Sequence, residues 1–483
     1  MFLGLDLGTT NVKALRVDAR GRVAARGDAP VRLRHPVPGA VEQDIDEIWQ
    51  AAVTAIRQAC QDDPSSVRSI GISSQGGAMQ LLDAGGRPLG AVISWLDGRG
   101  RAYNAGLTEE KGPQWFTERI GRPGSAGAIG QILRLRESAP ELLRPANRLG
   151  FVGDVIVARL CGRGAHDGTS LSIAGLYNPS LRRADPDVLH LVGLEEDRLP
   201  PLHKARETAG ELRADAARTL GLSPGLPVAP ACHDQYAAAL GARVTHAGDV
   251  MFGAGTAWVL LALSDRLAPP VLKTAFVCEH LVDGLYGQLL SMVNGGSVFG
   301  WAVDLLGLTG ATRDDLDALM ESAPAGADGL RFRPLLVEGG GAGLPRGTRG
   351  QLTELRLHHG RAHVLRAVIE GLALEFGRYL EMLRAGGVRP ERIVMCGRAA
   401  GGRVTPQIIA DTTGLAVACA SESEMSALGA AMLARALVEP ETPLDDISGE
   451  MSAPVRQVNP DANAPSYAQR LADYRRTLEE KTI

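Results

Sequence analysis

The chain opens with a pattern that it repeats in its second half. Residues 2–5 are apolar, Gly8-Thr9-Thr10 is a turn of small and hydroxyl residues, and residues 12–17 are mostly apolar again. Residues 249–252, Gly253-Ala254-Gly255-Thr256 and residues 257–263 follow the same plan. Strand, tight turn, strand, placed twice in one chain, predicts two related halves. In the first half a turn at Asp18-Ala19-Arg20-Gly21 leads to a third strand over 22–26 and completes a meander. A helix is then predicted from Asp46 as N-cap, with Ile48, Trp49, Ala52, Ile56 and Cys60 on one face, and strands at 69–73, 79–82 and 91–95. In the second half a long amphipathic helix over 361–384 stops at Gly386-Gly387. A buried strand at 392–396, a Gly and Ala loop and a helix near 406–412 follow. The Pro-rich stretch 440–465 reads as a linker before a last helix that carries Tyr467, Leu471, Tyr474 and Leu478 in register.

At 483 residues the chain is long enough for two to four domains of roughly 150 residues each. Apolar residues at 45% and charged residues at 22% are ordinary globular values. The net charge of −4 lacks the positive excess that binds a phosphate backbone, so nucleic acid is excluded as the expected partner. Six scattered cysteines without a C-x-x-C pair fit neither a disulfide framework nor a thiolate zinc site. The start carries Asp6 where a signal peptide would be apolar, and the longest uncharged run, Gly284 to Val303, includes Gln288, Ser291, Asn294 and Ser297 and is too polar for a spanning helix. A cytoplasmic protein is expected. Lys occurs only at 13, 111, 204, 273 and 481, which makes a Lys inside a motif more telling.

Asp6-Leu7-Gly8-Thr9-Thr10, with Lys13 just beyond, sets a carboxylate at a strand end before a glycine and two hydroxyls. That arrangement offers a Mg²⁺-water ligand beside N–H and hydroxyl donors for phosphate; an ordinary Gly-Thr hairpin has the same residues. Gly253 to Thr256 supplies a second such turn, and two facing turns can grip a polyphosphate. No Gly-Lys dipeptide and no strand-linked G-x-G-x-x-G occur, which excludes a P-loop and argues against the usual dinucleotide fold. In Ala231-Cys232-His233-Asp234-Gln235, Asp234 stands between a strand and a helix of small residues, placed either as a base or as a plain N-cap. Gly221-Leu222-Ser223-Pro224-Gly225 fits G-x-S-x-G, but Pro224 lacks the oxyanion N–H. His358, His359 and His363 lack the Glu of H-E-x-x-H and read as structural. Glu338-Gly339-Gly340-Gly341-Ala342-Gly343 reads as a surface loop.

Taken together, these segments resemble the FGGY family of carbohydrate kinases, in the actin, Hsp70 and sugar-kinase fold group, and within it the xylulose-kinase branch. The likeness is carried by Asp6 to Thr10, Trp95-Leu96-Asp97-Gly98-Arg99, His233-Asp234-Gln235, Gly253 to Thr256, Glu370-Gly371, Gly397 and Ala427-Leu428-Gly429-Ala430-Ala431. The resemblance implies an α/β chain with two RNase-H-like domains flanking a catalytic cleft. It divides the chain into an N-terminal sugar-binding domain over 1–245, an ATP-binding domain over 246–438, and a linker with a docking helix over 439–483. By the same resemblance Asp234 is the general base, Asp6 and Asp234 hold Mg²⁺, and Gly8, Thr9, Thr10, Lys13, Gly255 and Thr256 cradle the phosphates of ATP. Gly397, Arg398 and Ala399 then border the adenosine. Gln75, Gly76, Gly77, Trp95, Asp97, Arg99 and Gln235 meet the sugar.

The chain departs from the family in places. Gln75-Gly76-Gly77-Ala78 stands where xylulose kinases carry Gln-Met-His-Gly, and Arg398 interrupts the usual glycine run of the adenosine loop. The implied function is ATP-dependent phosphorylation of a small sugar or sugar alcohol, with a ketopentose such as D-xylulose as leading substrate. The alternative is a nucleotide-binding member of the fold group without kinase activity, chaperone-like or filament-like. A homodimer is compatible with the resemblance, and no membrane partner is expected.

Overall fold

The structure, a computed structural model, describes residues 1–337, 343–344 and 347–479. Its first sheet holds β1 (Phe2–Leu7), β2 (Asn11–Val17), β3 (Val23–Pro30), β4 (Ile70–Ser74), β5 (Gly210–Glu211) and β6 (Pro227–His233), in the order β5-β6-β4-β1-β2-β3. The meander β1-β2-β3 is antiparallel, while β1, β4 and β6 run parallel. The second sheet holds β7 (Asp249–Ala254), β8 (Trp258–Ser264), β9 (Phe276–Glu279), β10 (Tyr286–Met292), β11 (Arg392–Cys396), β12 (Val417–Ala420) and β13 (Val455–Val458), in the order β9-β10-β8-β7-β11-β12-β13. Here β10, β8 and β7 are antiparallel, and β7, β11 and β12 are parallel. Three antiparallel strands and then two parallel ones, twice over, is a duplicated α/β unit. The two related halves expected from the repeated openings are present as two sheet-containing domains.

Burial explains the sequence of each strand. The central β4 is buried at all five positions and reads Ile-Gly-Ile-Ser-Ser, whereas the edge strand β3 alternates between one covered face and one exposed face. The helices are α1 (Ile45–Cys60), α2 (Asp234–Gly241), α3 (Arg361–Ala385), α4 (Val404–Thr413), α5 (Met425–Val438) and α6 (Ala464–Glu479), with shorter ones between. The N-cap of α1 is Asp44 rather than Asp46: its carboxylate accepts from the N–H groups of Asp46 and Glu47, and Asp46 lies inside the first turn.

Helix α5, within the stretch 246–438 assigned from sequence to the second domain, packs on β1 and β4 of the first sheet and against α2. A Cβ on Gly4 would stand 1.9 Å from the Ala427 carbonyl oxygen, one on Gly71 1.8 Å from that of Ala430, and one on Gly429 1.8 Å from that of Ala237. Backbones approach this closely only where the side chain is absent. The stretch expected as a linker holds a helix, Leu444–Met451, and β13, which pairs antiparallel with β12. Tyr467, Leu471, Tyr474 and Leu478 of α6 are buried. Among the described residues no helix is long and apolar enough to cross a membrane.

Candidate active site

Three neighbouring parallel strands of the first sheet end at one level. Leu7 pairs with Ser74, and Ser74 with His233. The turn after β1, the loop after β4 and the start of α2 therefore leave the sheet side by side, at the carboxyl ends where α/β sheets bind ligands. These segments bring together Asp6, Gly8, Thr9, Thr10, Gln75, Gly76, Gly77, Asp234 and Gln235. The second sheet repeats the arrangement. Gly253 pairs with Cys396, and a Cβ on Gly397 (φ +88°) would stand 3.1 Å from the Ala254 carbonyl oxygen, so the Gly255-Thr256 turn and the Gly397-Arg398-Ala399 loop are neighbours. The halves meet where a Cβ on Gly253 would come within 3.9 Å of Gln235 Oε1. Arg398 is exposed.

The carboxyls of Asp6 and Asp234 carry the electrostatics of this junction. Burial, and after it the charge of Asp234, raises the Asp6 carboxyl to about 7. Burial raises Asp234 to about 6. Asp234 is the first residue of α2, and the N-cap is His233, whose side chain makes no capping bond. The Asp234 side chain is 25% exposed and so reaches the junction. Ser426 Oγ of α5 donates to the Asp234 carbonyl oxygen at 3.2 Å, which fixes the helix start to the neighbouring helix. His233 Nε2 lies 3.3 Å from Asp234 Oδ1, and burial lowers the His233 ring to about 3, leaving it neutral.

Two hard carboxylates pressed toward protonation by burial, Asp6 also by the charge of Asp234, fit a divalent cation, which would relieve both. Among the described residues no group of three or more His, Cys, Asp or Glu forms a metal site. A Mg²⁺ held by two carboxylates alone keeps the waters and phosphate contacts that this ion prefers.

Other predicted residues are placed less simply. Trp95 is 56% exposed and donates through Nε1 to Thr9 Oγ1 at 3.0 Å. Gln43 Nε2 donates to the Thr9 carbonyl at 2.9 Å, and Gln75 Nε2 donates to Gln43 Oε1 at 3.0 Å. This polar chain ties the Gln75 loop, expected to meet the sugar, to the Gly8-Thr9-Thr10 turn. Lys13, expected at that turn, instead forms an ion pair with Glu424 and lies opposite Asp6 on β2. Asp97 and Arg99, expected on sugar hydroxyls, are committed to each other: Asp97 accepts from the Val41 and Arg99 N–H groups, from the Arg99 guanidinium and from Gln131 Nε2. Its side chain has no exposed surface, and Arg99 spans Asp97 and Glu42. They brace the loop that presents Trp95. His358, His359 and His363 cluster edge-on and tilted against one another, at 4.3 to 6.1 Å between ring centroids. Residues 338–342 of the Gly339 loop lie outside the described residues.

Residues 1–241 match the N-terminal domain of the FGGY family of carbohydrate kinases, and residues 251–437 match its C-terminal domain. The chain belongs to this family. Among FGGY relatives, the xylulose kinase of Escherichia coli (strain K12) is 27% identical over 490 residues that cover 99% of both chains. The glycerol kinase of Gloeobacter violaceus (strain ATCC 29082 / PCC 7421) is 29% identical over 441 residues, 90% of this chain and 87% of that one. The crystal structure of xylulose kinase from Rhodospirillum rubrum aligns with a TM-score of 0.91 at 27% identity, covering 99% of this chain and 98% of the other. As an FGGY member the protein is a carbohydrate kinase, a phosphotransferase with the actin-like ATPase fold.

Sequence reasoning passed over several residues at this FGGY site. Gly296 opens a helix, Gly296–Leu305, whose start abuts the second turn: Ser297 N–H donates to the Thr256 carbonyl at 2.8 Å. The signal was available, since Gly295-Gly296-Ser297 before an apolar run is a helix start. Gln43, Ser73 and Ser426 had none, because their partners are distant in sequence.

Proposed function

We propose that the protein transfers the γ-phosphoryl group of ATP to a hydroxyl of a small sugar or sugar alcohol in the cytoplasm, with a ketopentose such as D-xylulose as acceptor. Asp234 accepts the proton of the attacking hydroxyl. A carboxyl held near 6 is ionised at neutral pH yet more basic than an ordinary one, the compromise a general base needs. Asp6 and Asp234 are the residues that would hold Mg²⁺; when bound, the ion neutralises charge on the phosphates. Gly8, Thr9 and Thr10 from one half and Gly255 and Thr256 from the other offer donors to the phosphates. Gly397, Arg398 and Ala399 border the adenosine. Gln75, Gly76, Gly77, Trp95 and Gln235 form the acceptor side, with the half-exposed Trp95 ring as an apolar wall.

The observation that supports this reading is the convergence of Asp6, on β1, and Asp234, at the start of the helix that follows β6, from the two parallel strands flanking β4 onto the junction of two glycine-rich turns, one from each domain. The relatives' acceptors range from xylulose to glycerol, so the test is a panel. Pentuloses, pentitols, hexuloses and glycerol are offered with Mg-ATP, and ADP release is followed by a coupled assay. Fastest turnover on a pentulose is expected. No turnover on any member by correctly folded protein overturns the acceptor class, and preference for another member corrects the ketopentose.

A further inference from the structure

His233 precedes Asp234 and is not used by the reading above. Its side chain is 6% exposed, its Nε2 lies 3.3 Å from Asp234 Oδ1, and its Nδ1 is buried with no hydrogen-bond partner. A neutral imidazole carries one N–H. A buried N–H without an acceptor costs more than a buried lone pair, because a donor loses a strong bond to water. The tautomer that leaves the lone pair on the orphan Nδ1 puts the hydrogen on Nε2, the nitrogen facing the carboxylate.

The ring is held there by its surroundings. The His233 N–H donates to Thr169 Oγ1 at 3.0 Å, and that hydroxyl donates to Asp167 Oδ1 at 2.7 Å. Tyr236 meets the ring edge-on, at 6.0 Å between centroids and 67° between planes. The space it occupies exists because residue 76 has no side chain: a Cβ on Gly76 would stand 2.3 Å from His233 Cδ2, 2.6 Å from Nε2 and 2.4 Å from Ile173 Cγ2. Gly76 has no positive φ, so the backbone does not demand glycine there; the packing does.

We propose that His233 is a positioning residue, whose Nε2–H holds the Asp234 carboxylate in the orientation that receives the acceptor's proton, and that Gly76 is the gap that admits its ring. His233 keeps its own proton throughout; the proton of the acceptor hydroxyl goes to Asp234. Besides the Gln235 backbone and side chain, which hydrogen-bond to the Asp234 carboxyl, the His233 ring is the group beside it at the start of α2, and a rotation that moves the carboxylate by about 1 Å is enough to lower the rate by roughly 100-fold. This inference rests on Asp234 being the base.

The test compares full-length variants with D-xylulose and Mg-ATP, or with the best acceptor from the panel. His233→Leu fills the ring's volume without a donor and is expected to lower kcat by roughly 10- to 100-fold, with the sugar KM changed by less than about threefold. His233→Gln restores an N–H and should regain most of the loss. Gly76→Ala, which pushes the ring aside, should lower kcat as His233→Leu does. In an Asp234→Asn background His233→Leu should cause no further loss, because it acts through the carboxylate. Turnover within twofold of wild type in His233→Leu, beside an inactive Asp234→Asn, overturns this inference alone. So does a loss confined to KM, or full additivity in the double variant. Near-wild-type turnover in Asp234→Asn overturns the base assignment instead, and this inference with it. Where His233→Leu does not fold, His233→Gln against Gly76→Ala decides: equal kcat in the two overturns the proposal, and a higher kcat in His233→Gln supports it.

Discussion

Ser73 Oγ donates a 2.8 Å hydrogen bond to Asp6 Oδ1, and the two residues are register partners on β4 and β1. The same hydroxyl stands 3.4 Å from the Ser426 carbonyl of α5. A donor to a carboxylate favours its charged form, so Ser73 opposes the burial that raises Asp6. Ser73→Ala removes that opposition and raises the Asp6 carboxyl further. Divalent cations must then displace a proton from more molecules at neutral pH. The Mg²⁺ concentration for half-maximal rate is expected to rise several-fold at pH 7, on the order of the 1.5–3 kcal/mol of a charged hydrogen bond at most, and to recover by pH 8.5. Mg²⁺ titrations of the rate at the two pH values measure it; equal shifts at both would show that Ser73 acts only through packing.

Asp234→Asn keeps a polar group of the same size and removes the base. Its kcat is expected to fall by roughly 100-fold or more, while calorimetry still detects sugar binding within about tenfold of wild type. Turnover close to wild type would assign the proton to another group.

The same substitution should stabilise the folded chain at high pH. Asp234 is raised from 3.8 to about 6, so between those values the folded state binds more protons than the unfolded one, and this group's stability contribution falls as pH rises. Below the lower value both states are protonated and the effect vanishes. Asn does not titrate, so the melting temperature of Asp234→Asn relative to wild type should rise from pH 4 to pH 7. The full two-unit shift corresponds to roughly 3 kcal/mol; with the side chain a quarter in solvent, about 1–2 kcal/mol is expected. Thermal unfolding at pH 4, 5.5 and 7 tests the slope, and a constant difference would refute it.

Gly71→Ala should destabilise severely. Its Cβ would lie 1.8 Å from the Ala430 carbonyl, backbone that moves only if the whole of α5 shifts off the first sheet. A loss of roughly 3 kcal/mol or more is expected. Gly106→Ala is the control: it lies in the helix Arg101–Lys111 with nothing within 4 Å of its Cβ, and should be neutral or gain roughly 0.5–1 kcal/mol. Denaturant midpoints compare the two.

Trp95→Phe keeps an aromatic ring but loses the donor to Thr9 Oγ1. The sugar KM should rise more than kcat falls, and the tryptophan fluorescence change on adding the acceptor should disappear. An unchanged KM with the fluorescence response retained would remove Trp95 from the acceptor wall.

Much of the strand pattern was legible in the sequence because each strand carries its own hydrophobic run and each turn its own small residues: Gly8-Thr9-Thr10 and Gly253 to Thr256 mark two equivalent hairpins with no reference to the rest of the chain. The candidate base was legible only as an alternative, since Asp at a strand-to-helix junction is equally a cap; its neighbour His233 turned out to be the N-cap residue. In the structure Asp97, Arg99 and Lys13 are held by Gln131, Glu42 and Glu424, partners distant in the chain, which a charged residue in a motif does not reveal in sequence.

Local chemistry thus determined which segments become strands, turns and helices, for periodicity and turn propensity act over a few residues. Tertiary packing decided which carboxylates face one another, that α5 belongs against the first sheet, and that Gly76 leaves room for the His233 ring. Those outcomes depend on close approaches between residues distant in the chain: an added Cβ would stand 1.8 Å from the Ala430 carbonyl oxygen at Gly71 and 2.4 Å from the Ile173 side chain at Gly76. No short stretch of sequence encodes such a distance.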